Sequence, residues 1–206
     1  MEKEIKRKRK IKPNRFFGRI LTVRGITEMA IFISLALIFD LEFLKFRIGE
    51  AQSFSITMLP LIIIALRFPL VDAFLGIGGV YGVITMFWDG YGPINYPLDY
   101  LLGYGFLAII SLFQTLVYRK YKHEIINYLY LALAIVAGVS GRILFSTING
   151  VLVWETTFIG SFIYNGVPIS VSGLMCGILS IMLFPTLLRF KPQTFIQIDK
   201  EEIIEQ

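Results

Sequence analysis

Six apolar stretches, most of them close to 20 residues long, run one after another along this 206-residue chain, separated by short polar links. A helix rises about 1.5 Å per residue, so about 20 apolar residues cross the ~30 Å of hydrocarbon in a bilayer. The stretches predict an all-α membrane protein, a bundle of six transmembrane helices near 25–45, 53–67, 69–88, 97–117, 126–153 and 159–188. Composition agrees: 55% of the residues are hydrophobic and mean hydropathy is +0.68, where soluble domains average roughly 45–50% apolar. The domain expectation is a basic cytoplasmic tail (1–24), a transmembrane substrate-binding domain (25–190) and a second cytoplasmic tail (191–206).

A net charge of +5 raises the question of nucleic acid, and the placement of the charge answers it. Ten of the twenty Lys and Arg residues fall between Lys3 and Arg24, beside the first apolar stretch. A basic run there is a topology signal with affinity for anionic lipid headgroups, so membrane lipid is the expected partner and nucleic acid is not. With the N-terminus inside, seventeen of the twenty basic residues lie on the cytoplasmic side, which puts both termini in the cytoplasm. No small-x-small cleavage site follows the first apolar stretch, so it reads as a retained helix rather than a signal peptide.

Several chemistries drop out. Cys176 is the single cysteine and sits in an apolar segment, and His123 is the single histidine. A metal centre is therefore not expected, nor a resident cofactor. No H-E-x-x-H, G-x-S-x-G or P-loop is present, so catalytic residues are not expected and any ATP-driven step needs another chain.

Ionisable groups inside hydrocarbon cost about 2.5–3.5 kcal/mol each and normally face the bundle interior with a partner. Two stand out: Asp99, near the outer end of the fourth helix, and Arg142, in the middle of the fifth. They read either as an internal ion pair or as the floor and wall of a ligand cavity. Aromatic and hydrogen-bonding residues crowd the same end of the bundle. An interfacial aromatic belt explains Trp88 and several tyrosines. It does not explain Asn149, Asn165 and Asp99, which lie in or at the ends of helices. Asn149 and Trp154 follow Arg142 by two and by three and a third turns, near one face. A cation, an amide and an indole rising along one helix suit a cavity for a flat polar heterocycle.

Those residues carry a resemblance. The chain resembles the substrate-binding S-components of energy-coupling factor (ECF) vitamin transporters, most of all the thiamine-specific branch, over roughly residues 23–190. VRGITEMAIFISLALI is similar to the branch's first helix, and Ala30 and Ser34 fill its small-xxx-small docking pattern. PLDYLLGYGFLAIISLF is similar to the fourth, which implies that Asp99 and Tyr100 enter the site. GRILFSTINGVLVWETTF is similar to the fifth, which implies that Trp154 stacks on the ligand's pyrimidine. SFIYNG resembles the S-L-x-x-N-G of the sixth, which implies that Asn165 lies in the site. Four departures stand beside these. Ser146 replaces a common His, Gly160 replaces a Tyr, the acid is Asp rather than Glu, and the outer loop after the first helix offers Phe54 as its aromatic.

The resemblance implies a membrane-embedded vitamin-capture subunit, with thiamine as ligand, working with an ECF scaffold subunit and two ATPases in a bacterial plasma membrane. The candidate substrate-binding residues are Asp99, Tyr100, Trp154, Asn165, Arg142, Asn149, Tyr96 and Ser146. Open alternatives are another vitamin or nucleobase-like heterocycle, a self-sufficient secondary carrier, and a membrane enzyme or assembly factor whose polar cluster is structural.

Overall fold

The computed structural model describes residues 23–48, 52–119 and 125–187. The basic tail up to residue 22, the C-terminal tail, Gly49 and Glu50 of the first loop, and Lys120, Lys122 and His123 lie outside the described residues.

Among the described residues, six helices build the bundle: α1 (Val23–Phe39), α2 (Met58–Arg67), α3 (Leu70–Asp89), α4 (Pro93–Val117), α5 (Ile125–Val153) and α6 (Phe158–Leu187). Two short strands, β1 (Phe46–Ile48) and β2 (Gln52–Phe54), pair antiparallel between α1 and α2, with Phe46 opposite Phe54. The all-α class holds, and this short hairpin is a local addition to it. It also shortens the neighbouring helices, because α1 stops at Phe39 instead of near 45 and α2 begins at Met58 instead of near 53.

The helix ends follow local chemistry. Pro69 drives Phe68 into an extended conformation (ψ 152°), which closes α2, and then caps α3. Gly90 closes α3 in the left-handed region at φ 73°. At the end of α5, the Thr156 amide reaches back to the Gly150 carbonyl (3.3 Å), with Glu155 at φ 51° where such a turn favours glycine. Thr157 then caps α6, its hydroxyl accepting from the Gly160 amide at 3.2 Å.

Helices α3, α4, α5 and α6 are long and apolar enough to cross a membrane, at 20 to 30 residues each. Apolar side chains such as Ile31, Val136, Leu174 and Met182 face outward, as a lipid-facing surface requires. The chain is a multi-pass membrane protein. Helix α2 departs from the expectation of six full-length spans. Its 10 residues reach only about 15 Å, and every one of them is buried. The segment leading into it is pinned to α6, where the Ser55 amide donates to Ser172 Oγ at 3.2 Å. Ser172 is midway along the 30-residue α6, so α2 starts near the middle of the bundle. The volume above it is left for a site.

Helix α5 packs against both α4 and α6, and α3 lies on α4. The last contact is tight: a Cβ on Gly78 would sit 2.5 Å from the Leu101 carbonyl oxygen. Three helices change pitch at this level. Leu75–Tyr81, Tyr96–Tyr104 and Phe162–Gly166 are π-helical, with wider turns than the helix around them. Pro168 gives a reason in α6. It has no N–H for the Tyr164 carbonyl four residues back, and its ring crowds that oxygen. At the opposite end of the bundle, Arg67 pairs with Glu28, tying α2 to α1.

Candidate functional site

Two adjoining hollows open above α2. The first, of about 700 Å³, lies among α4, α5 and α6 and is walled by Trp154, Asn149, Asn95 and Thr157. The second, of about 440 Å³, is bounded by Met58, Arg142, Ser172 and the loop after α1. Tyr91, Asp99, Tyr164 and Asn165 line both, so the two behave as one bipartite site. Each volume falls in the range of small-molecule sites, roughly 300–1,000 Å³.

Ser146 joins three helices at the shared wall. Its hydroxyl donates to Asp99 Oδ1, and its carbonyl accepts from Asn165 Nδ2 at 3.3 Å. Asn165 also donates to Ser161 Oγ at 3.3 Å. The acid of α4 and the amide of α6 are thus held in place through one residue of α5. A turn higher, Asn95 does the same for the aromatic wall. Its Oδ1 accepts from Asn149 Nδ2 (2.8 Å) and from Trp154 Nε1 (3.1 Å), while its own Nδ2 donates to the Tyr91 carbonyl (2.8 Å). Tyr91 meets the Trp154 ring edge-on, with centroids 6.3 Å apart.

Charge fills the second hollow: Asp40, Glu42, Asp89 and Asp99 against Lys45 and Arg142, an excess of two acids. Lys45 is held by Asp40 at 3.2 Å and Glu42 at 3.4 Å. Burial lifts the Asp40 carboxyl above its ordinary range, against the pull of Lys45. Burial works against the Lys45 ammonium too, but Asp40, Asp89 and Glu42 together hold it above its ordinary value. Arg142 lays its guanidinium over the Tyr104 ring, 3.7 Å from the centroid, and its Nε has no hydrogen-bond partner among the described residues. No Arg142–Asp99 ion pair forms within 4.0 Å, so the ion-pair reading of these two is corrected. The aromatic face takes up the guanidinium instead, a contact worth about 0.5–2 kcal/mol.

A ring that can stack on an indole, with a carboxylate nearby for its positive charge, is what such a hollow accommodates. The thiamine transporter protein family matches residues 26–192. This chain belongs to that family. ThiT from Listeria monocytogenes, a solved structure, is similar in fold: TM-score 0.66 and 25% identity, covering 80% of this chain and 96% of that one. No curated protein matches the chain by sequence. Membership makes the chain a transporter protein of the thiamine type, not a member of an enzyme family.

The structure of this family member brings six of the eight expected residues to the walls: Asp99, Asn165, Trp154, Asn149, Arg142 and Ser146. The other two stand behind them. Tyr96 turns its hydroxyl to the Gly78 carbonyl (3.4 Å). Tyr100 is 2% exposed and donates to Asp89 Oδ2 at 3.3 Å, so it braces an acid instead of meeting the cavity. Phe54, the last residue of β2, is buried and lines neither hollow. Sequence reasoning missed Asp40, Lys45, Met58 and Ser172 as wall residues. Asn95, inside a stretch read as a loop, had a usable signal: an amide between two prolines at the level of Trp154. For Met58 and Ser172 there was none, because they are ordinary residues of apolar helices. Ala30 and Ser34 lie on the exposed face of α1.

Proposed function

We propose that this protein captures thiamine from outside a bacterial plasma membrane, as the substrate-binding S-component of an ECF transporter. Trp154 offers a face to the pyrimidine, and Asp99 faces the cationic thiazolium. Asn165, Asn149 and Ser146 supply hydrogen bonds around the ring, and Arg142 and Tyr104 close the floor. Tyr96 and Tyr100 act from behind the wall, holding α4 and Asp89. The observation that carries the reading is the convergence of Asp99, Trp154 and Asn165, from three helices, on one hollow.

Both termini lie in the cytoplasm, as the basic residues argue, and the hairpin with α2 takes the place of a full second span. Ala30 and Ser34, small residues one turn apart on the exposed face of α1, let a scaffold helix approach closely. That scaffold works with two ATPases, since the sequence has no phosphate-binding loop of its own.

Thiamine binding by purified protein, followed through quenching of Trp154 and Trp88, is the test. Submicromolar binding supports the reading, and binding no tighter than millimolar rejects thiamine. A vitamin panel in a thermal-shift assay then identifies any other ligand, because occupancy at a thousand times Kd adds about 4 kcal/mol. Uptake that persists without any ATPase partner rejects the ECF assignment in favour of a secondary carrier.

A further inference from the structure

Two of the residues shared by both hollows, Tyr91 and Tyr164, are aromatic. Tyr164 is 53% exposed, which by itself is what an interfacial belt residue would show. Its place on α6 decides against that reading. Thr157, Gly160 and Ser161 line the first hollow, Pro168 and Ser172 line the second, and Tyr164 and Asn165 fall between them at the same spacing of three or four residues. The outward stripe of the helix runs instead through Phe158, Phe162, Ile163 and Val167, all exposed and lining neither hollow. Tyr164 belongs to the cavity face.

Its ring packs on no other ring among the described residues, and its hydroxyl has no hydrogen-bond partner there. Asn165, the next residue of the same π-helical turn, is fixed by Ser146 and Ser161, and with it the backbone from which the Tyr164 ring projects. The Tyr91 hydroxyl is held above its ordinary value first by burial and then by the nearby Tyr164 phenol, so the two tyrosines share the junction. On the same junction Asp99 gives Oδ1 to Ser146 and keeps Oδ2 open, with no protein donor on it among the described residues. A free carboxylate oxygen and an unpartnered aromatic face on one junction suit an organic cation.

We propose that Tyr164 is a specificity-determining residue whose ring lies against the cationic ring of the ligand, at the junction of the two hollows, with Asp99 Oδ2 as the counter-charge. The first hollow then holds the pyrimidine on Trp154, and the one-carbon bridge of a two-ring ligand turns it past Tyr164 toward the second hollow. The inference rests on the thiamine reading above and adds the residue that reads the charge of the second ring. A neutral ring of the same shape keeps the contact area and loses the attraction between cation and ring face.

The test compares Kd for thiamine and for its neutral analogue, with thiophene in place of the thiazolium, on wild type, Tyr164→Phe, Tyr164→Leu and Phe162→Leu. Melting curves on each variant verify folding. Wild type is expected to prefer thiamine. Tyr164→Leu lowers that preference by about three- to thirtyfold, the range of a cation–π contact. Tyr164→Phe, which keeps the ring face without the hydroxyl, retains it, and Phe162→Leu, on the outward stripe of the same turn, leaves both affinities unchanged. Equal binding of both compounds by wild type, an unchanged ratio in Tyr164→Leu, or a loss in Phe162→Leu as large as that in Tyr164→Leu overturns the inference and leaves thiamine capture standing. An equal loss of the ratio in Tyr164→Phe overturns it too, because the hydroxyl and not the ring face then reads the ligand. Failure of wild type to bind thiamine overturns both. Should Tyr164→Leu not fold, Tyr164→Met replaces it with the same two outcomes.

Discussion

Helices α4, α5 and α6 run through two halves of the bundle that are built on opposite rules. Around α2 the half is closed to solvent: Leu61, Ile62, Ile64, Leu66, Leu107, Ile110 and Leu131 are all fully buried. Above Met58 the same helices separate around two hollows lined by amides, acids and rings. The difference is not one of composition along any single helix, since α5 contributes Leu131 to one half and Asn149 to the other. It arises because α2 is half a span, and because α3, α4 and α6 each carry a π-helical turn near the opening. The closed half supplies stability through packing. The open half trades packing for hydrogen bonds that hold side chains at fixed places around empty volume.

If the halves divide labour in this way, substitutions in one should leave the other's property alone. Leu61→Ala should have the largest effect, lowering unfolding free energy by about 2–5 kcal/mol through the cavity it leaves. Thiamine affinity per folded molecule should be unchanged, and a shift in Kd measured on the melted-corrected fraction would break the division. Asp99→Asn, nearly isosteric, should weaken thiamine on the order of a hundredfold, or about 2.7 kcal/mol, with a ligand-free melting curve close to wild type. A large fall in melting temperature would instead make Asp99 a structural residue. The seam between the halves should respond in both measurements. A Cβ at Gly78 would press on the Leu101 carbonyl, two residues from Asp99, so Gly78→Ala should cost about 1–3 kcal/mol of stability and also weaken binding measurably in titration calorimetry. Glu155→Gly should have the smallest effect, relieving the left-handed backbone at φ 51° and stabilising by about 0.5–1 kcal/mol. The readout is a rise of a few degrees in melting temperature with the same Kd.

Much of the architecture was legible because a bilayer imposes a length and a composition on each helix that crosses it. The starts and stops of α3, α5 and α6 fall within a residue or so of their apolar stretches, and Pro69 marked the α2–α3 break. The region from 40 to 57 was misread for the same reason inverted. Helix α2 is enclosed by protein instead of lipid, so hydropathy does not set its length, and 40–45 and 53–57 looked like extensions of helices.

The sequence by itself determined that the chain is a multi-helix membrane protein, and it singled out Asp99, Trp154 and Asn165 by their resemblance to a family pattern. Only the tertiary structure decided how those residues are held. The Ser146–Asp99, Asn149–Asn95 and Trp154–Asn95 hydrogen bonds join positions 47, 54 and 59 apart, and such pairings leave no periodicity in a sequence. The choice of Tyr104 over Asp99 as the Arg142 partner was decided there as well. A guanidinium in hydrocarbon takes whichever face the packing brings within reach, and packing is a property of the assembled helices.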